Sequence, residues 1–343
     1  MINNRTIQPI FEFSNIIRMK RNMNDIQSPY LFQSGRHSLF FILSRIKNIY
    51  KKNHIIMLPY LICNEIIPII EYLDIKIKYY KVFDNLQPDY ESIRANLDQD
   101  NSILLVVNYF GFPSNWDEIN SIKEEFHCLV IEDNAHAIYG EYNNKTLGTL
   151  GDVSFNSIRK ILPLLGGSQL IINNYSLGDI PNESRTRLPN LGELAYSLRQ
   201  FNIFKSKDKE KKASKTENTK FMCQPADVVS RRIFNNVEFN EKNIIKKRRE
   251  NYVFWNEYLK NKNLLFFEDL KLNHVCPYVF PCSVKSKKDI GKWVEWGRYN
   301  KINIISWPKF PISIDQNKLS PVLKNLIFFP VNHQHTIANL IKE

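Results

Sequence analysis

Three short segments of this 343-residue chain carry side chains that could do chemistry together. In LVIEDNAHA, residues 129–137, an apolar run ends in two carboxylates, with His136 three residues after the second. A charge at the C-terminal end of a strand lies where α/β folds bind ligands. Asp133 could therefore pair with a cationic ring nitrogen, and His136 could face the same ligand; the same two residues also fit a helix cap and a core-filling imidazole. In FNSIRKILPLLGGSQLIIN, residues 155–173, Lys160 stands among apolar residues ahead of Gly166 and Gly167. A lysine in apolar surroundings loses its proton more readily and becomes a nucleophilic amine suited to Schiff-base chemistry. Ser157 could offer a hydroxyl to a phosphate, and the glycines would let backbone pass close to a ligand. Taken alone the segment also fits an exposed lysine on a β-turn. Its Ser-x-x-Lys spacing occurs in penicillin-binding serine enzymes, whose other signatures the sequence lacks. In SGRHSLFFIL, residues 34–43, Gly35 opens an expected helix whose first amides would form an anion site, with Arg36 able to add a charge-assisted bond.

The elements that must position these residues alternate between β-rich apolar runs and amphipathic stretches over about residues 30–172, which reads as βα units on a mostly parallel sheet. Strands are expected at 55–58, 75–80, 103–107, 129–132 and 169–172, and helices at 36–47, 63–73 and 116–126. Beyond a polar stretch at 205–224, a long charged helix at 240–260 precedes strand-like 278–284, a helix at 287–299 and a run at 302–306. The ordering predicts a large α/β domain, residues 1–230, and a smaller C-terminal α+β domain, residues 231–343.

Composition sets limits on function. Hydrophobic residues make up 43% and charged residues 24%, the balance of a globular protein. The longest apolar runs fall far short of the roughly 20 residues of a membrane span, and residues 1–21 lack a signal-peptide core, so a cytoplasmic protein without membrane contact is expected. The five cysteines form no CxxC pair, which argues against a zinc site or disulfide framework, and no metal is expected. Much of the net charge of +12 comes from the 205–220 run KSKDKEKKASKTENTK and from 246–249. Acidic residues interrupt that run and no aromatics interleave it, so it reads as a solvated segment and not as a nucleic-acid patch.

The order of the pieces is more specific than any one of them. A helix-N-terminal anion site is followed by VVNYFGFP at 106–113, IEDNAHA at 131–137, GTLGDVSFNSIRK at 148–160 and then the glycine pair. This order resembles the DegT/StrS family of pyridoxal-phosphate sugar aminotransferases over residues 32–173. The likeness extends more loosely through RRENYVFWNEYL and FFPVNHQ.

The resemblance implies a fold-type I, aspartate-aminotransferase-like enzyme with pyridoxal 5'-phosphate as cofactor. Lys160 would bond the cofactor and then shuttle protons, Asp133 would bind its pyridine nitrogen, and His136 would contact the ring or its phenolic oxygen. Ser157 and the Gly35 and Arg36 amides would hold the phosphate, and Asn108 with Tyr109 would border the cofactor. The family's phosphate-binding serine falls at Phe155, leaving Ser154 or Ser157 to substitute. The ring-stacking aromatic falls at Cys63, with Tyr60 as the alternative. No match to the family's Asn-x-x-Arg segment from the second subunit is evident. By the same resemblance the donor is an amino acid such as glutamate, the acceptor a nucleotide-linked keto-sugar for a surface polysaccharide or related glycan, and the assembly a homodimer. Alternatives are a protein that binds cofactor or sugar without turnover, or another pyridoxal-phosphate reaction; dehydration by relatives with histidine at the lysine position is disfavoured by Lys160.

Overall fold

The computed structural model describes residues 6–12, 14–17, 31–178, 187–193, 223–267 and 270–338. The basic run at 205–220 lies outside the described residues.

A seven-stranded sheet forms the larger layer. Its strands are β1 (Leu31–Phe32), β2 (Ile55–Pro59), β3 (Lys76–Tyr80), β4 (Ser102–Val107), β5 (Leu129–Asn134), β8 (Val153–Asn156) and β9 (Ser168–Ile172), in the order β1-β9-β8-β5-β4-β2-β3. A hairpin of β6 (Glu141–Tyr142) and β7 (Lys145–Thr146) lies between β5 and β8 in the chain. The β3-β2-β4-β5-β8 run is parallel, while β9 pairs antiparallel with both β8 and β1. All six residues of β4, SILLVV, are buried, as expected for a parallel strand covered on both faces.

The helices pack on this sheet through apolar residues at helical spacing. Gly35–Tyr50 buries Leu39, Ile42, Leu43 and Ile46 and stops where Lys51 turns left-handed. Trp116–Phe126 begins where the Asn115 side chain accepts the amides of Asp117 and Glu118. The expected 63–73 helix is split into a 3-10 turn, Asn64–Ile66, and a helix, Ile67–Tyr72, with Pro68 in the first helical turn, where its missing N–H costs nothing.

A second, antiparallel sheet holds β10 (Leu265–Phe266), β11 (Val279–Ser283), β12 (Ile305–Ser306) and β13 (Leu326–Pro330), in the order β10-β11-β13-β12. Helix Glu241–Leu259 lies against it, with the fully buried Trp255 donating its indole N–H to the Pro330 carbonyl at 2.8 Å. Residue 230 itself lies in helix Val228–Asn236, and its hydroxyl accepts the Gly166 amide of the larger layer.

The two layers meet at Gly111. Its φ is +102°, and a Cβ there would stand 2.4 Å from the Cys276 carbonyl oxygen, so only glycine lets residues 276–278 approach so closely. Beside it the Tyr278 amide donates to the Phe110 carbonyl at 2.7 Å.

Candidate active site

Asp133 sits near the C-terminal end of the central strand β5, between Val107 of β4 and Phe155 of β8. It is only 6% exposed, and its Oδ1 accepts the Ala135 amide at 2.8 Å. Burial pushes its carboxyl up to about 6, against the opposing pull of that amide and of the Lys160 charge.

Lys160 ends a 3-10 turn, Ile158–Lys160, just past β8. The turn is held from below, because the Ile158 amide donates to the Gly167 carbonyl and the Gly167 amide donates to Gln33, two residues before the Gly35 helix. The glycine pair therefore ties the lysine turn to the entry of that helix. Burial brings the Lys160 amine down to about 8; neighbouring Arg159 lowers it further, while Cys63, Asp133 and Glu65 raise it. Lys160 and Asp133 thus act on each other's proton equilibria.

The remaining expected residues differ in their surroundings. The half-buried Cys63 feels the charges of both Lys160 and Asp133. Tyr60 instead stacks on Tyr79, with ring centroids 5.5 Å apart, and its phenol feels Asp315. The Lys160 charge thus acts on Cys63, while the Tyr60 ring is packed on Tyr79. His136 lies between the rings of Phe110 (5.5 Å, 14°) and Tyr278 (4.9 Å, 15°), with Trp307 edge-on at 6.5 Å. Burial and the Lys160 charge hold its imidazole well below its usual range, so it is neutral, and its Nδ1 is buried with no hydrogen-bond partner.

Asn108 is placed differently from expectation. Its amide donates to Glu132 and Asn134, and its oxygen accepts the Ser114 amide and the Trp116 indole N–H. With both ends committed inside the protein, its side chain has no capacity left for a ligand. Glu132 is the fully buried partner in this network. Besides Asn108, it accepts from Asn134 and from the backbone amides of Gly148, Leu150 and Gly151, which fixes the loop entering β8.

Helix Gly35–Tyr50 opens without a side-chain cap, since the Ser34 hydroxyl engages His37 Nδ1 at 3.0 Å. The Phe155 ring packs on Gly35, where an added Cβ would meet it at 3.2 Å. Ser154 donates to the Gly148 carbonyl, which leaves Ser157, only 6% exposed and three residues before Lys160, as the hydroxyl on this side. Arg36 is half-exposed and pairs with Glu65 at 3.7 Å.

Sequence reasoning missed Tyr278 and Trp307. The Lys160 Nζ lies 5.4 Å from the Tyr278 ring centroid. The indole nitrogen of Trp307 is buried without a partner. Both come from the second layer, more than 110 positions away in sequence, and no local motif marks them. Among the described residues no group of three or more His, Cys, Asp or Glu could hold a metal ion, and no helix is long and apolar enough to cross a membrane.

Comparison with known proteins agrees with this geometry. Residues 69–175 match the DegT/DnrJ/EryC1/StrS aminotransferase family. A GDP-4-keto-6-deoxy-D-mannose 3-dehydratase of Escherichia coli O55:H7 is 32% identical over 78 residues, 22% of this chain and 20% of that protein. A UDP-4-amino-4,6-dideoxy-N-acetyl-beta-L-altrosamine transaminase of Campylobacter jejuni is 26% identical over 107 residues, 30% of this chain and 28% of the relative. The chain thus spans less than a third of the length of these curated relatives. A putative sugar aminotransferase of Streptococcus pneumoniae, solved in its PMP form, superposes with a TM-score of 0.66 at 12% identity, covering 97% of this chain and 89% of the other. The likeness to that structure shows the fold alone, that of the fold-type I enzymes. Over residues 69–175 the chain is thus similar to the DegT/DnrJ/EryC1/StrS aminotransferase family, at low identity to the relatives named above.

Proposed function

We propose that this protein is a pyridoxal-phosphate-dependent aminotransferase that takes an amino group from an amino acid, glutamate, and delivers it to a nucleotide-linked keto-sugar for a surface polysaccharide or related glycan. The reading is supported by the placement of Asp133 near the end of β5 and of Lys160 just past β8, both buried, with each charge shifting the other's proton affinity.

The pocket fits the cofactor at its ring end. Asp133 is largely ionised at pH 7 and offers a carboxylate to a protonated pyridine nitrogen. Lys160, with its amine brought to about 8, is a nucleophile in a useful pH range and can carry a proton to and from carbon. The neutral His136 has an unpartnered Nδ1 for the ring's phenolic oxygen. At the phosphate end the fit differs from the family pattern: the uncapped amides at Gly35 and Arg36, with Ser157, would hold the anion while Phe155 occupies the serine position. When bound, the cofactor supplies an electron sink for the carbon that exchanges nitrogen.

Relatives bear on the substrate. The Escherichia coli and Campylobacter jejuni proteins are named for sugar-nucleotide substrates, and the Streptococcus pneumoniae protein was solved in PLP and PMP forms. We place the enzyme in the cytoplasm as a homodimer, with its domain boundary near residue 230. A second reading, binding of cofactor or sugar without turnover, draws on the Phe155 ring over Gly35 and on the Arg36–Glu65 pair.

The visible absorption of purified protein with added pyridoxal phosphate separates the two. Transamination requires a band that Lys160→Ala lacks and that glutamate bleaches. A band that glutamate and other amino acids leave unchanged overturns transamination in favour of binding alone.

A further inference from the structure

We propose that Tyr278, which leads into β11, is a positioning residue for the Lys160 amine, its ring face holding the ammonium form in the pocket. The inference rests on the reading of Lys160 as the reactive amine. The Nζ lies 5.4 Å from the Tyr278 ring centroid, within the range at which a ring's negative face attracts a cation. The same ring stacks on His136, so one side chain of the second layer touches both functional groups of the first.

Tyr278 is fixed on every side. Its amide donates to the Phe110 carbonyl, its carbonyl accepts from Arg248 at 3.3 Å, and its hydroxyl accepts from Gln8 at 3.2 Å. Gln8 in turn accepts from Arg159, the residue beside the lysine. Arg248 is fully buried, and the groups that act on its charge are a thiol and two phenols, with no carboxylate among them. Burying a guanidinium without a counter-ion is costly. What it accomplishes here is a joint hold on the carbonyls of Pro277, Tyr278 and, at 3.5 Å, Lys160 itself. The lysine turn and the ring that receives its amine are thus anchored to one rigid cation.

The groups facing Lys160 are Arg159 on its own turn, Cys63 and Glu65 from the segment after β2, Asp133 and His136 from the end of β5, and Tyr278. Burial and Arg159 disfavour the ammonium form, whereas the ring face favours it. Removing the ring therefore makes the amine lose its proton at lower pH.

The test is the pH profile of the rate at which full-length protein develops visible absorption on mixing with pyridoxal phosphate. Tyr278→Leu is expected to move the midpoint down by about half to one pH unit, and Tyr278→Phe to restore it. Tyr278→Met, whose flexible side chain fills most of the ring's volume, reads the same shift if the leucine variant fails to fold. Midpoints in the leucine and methionine variants equal to wild type overturn the proposal, as does a phenylalanine variant that behaves like leucine. A wild type that develops no absorption removes the reactive-amine reading itself, and the positioning role with it.

Discussion

Replacing Asp133 by asparagine should make the cofactor-free protein more stable at neutral pH while removing its grip on the pyridine nitrogen. The carboxyl is raised from 3.8 to about 6, chiefly by burial. The native state therefore keeps this proton to higher pH than the unfolded chain does. The stability it contributes is fully present below 3.8 and is lost as pH rises through about 6. At about 1.36 kcal/mol per pH unit the full shift amounts to about 3 kcal/mol, of which about 2.5 kcal/mol develops between pH 4 and pH 7.5. Asparagine retains an oxygen for the Ala135 amide, and any cost of burying its NH2 group is the same at both pH values. The attraction of Lys160 is already contained in the raised value, so the gain is about 2–2.5 kcal/mol. Urea denaturation of wild type and Asp133→Asn without cofactor, at pH 4 and pH 7.5, measures this directly. The variant-minus-wild-type difference should rise by about 2 kcal/mol in the variant's favour. A difference that stays flat, or that moves the other way, would refute a buried, proton-retaining carboxyl at this position.

Two other substitutions probe the scaffold. Glu132→Gln turns an NH2 group toward the Leu150 and Gly151 amides that now donate to Oε2, and should cost about 2–4 kcal/mol in a denaturant titration with unchanged m-value. Gly111→Ala forces a Cβ to within 2.4 Å of the Cys276 oxygen at a φ of +102°, and should cost about 3 kcal/mol or more and displace Tyr278 from the lysine, read as a changed rate of pyridoxal phosphate uptake.

Features that depend on neighbours in sequence were legible before the structure. Asp133 at a strand end, Lys160 ahead of Gly166 and Gly167, and Gly35 at a helix entry each announce themselves within ten residues, and each lies in the element expected of it: β5, the turn after β8 and the start of helix Gly35–Tyr50. Strand β8 escaped notice because VSFN is four residues long with polar positions at Ser154 and Asn156. The surroundings of Tyr60 and Cys63 were not legible because they depend on the path of the chain after β2, through the 3-10 turn Asn64–Ile66. The partners of Asn108, namely Glu132, Asn134, Ser114 and Trp116, were not legible because they come together only when three segments meet. Tyr278 and Arg248 were invisible for the same reason, since contacts between the two layers have no sequence period.

The most direct measurement is the site of covalent attachment. Borohydride reduction of the protein mixed with pyridoxal phosphate, followed by digestion and peptide mass mapping, should place one label on the peptide carrying Lys160, and that label should be sharply diminished in Asp133→Ala. Labelling spread over surface lysines, or a label on Lys160 that Asp133→Ala leaves at full strength, would contradict the pairing of these two residues in a cofactor pocket.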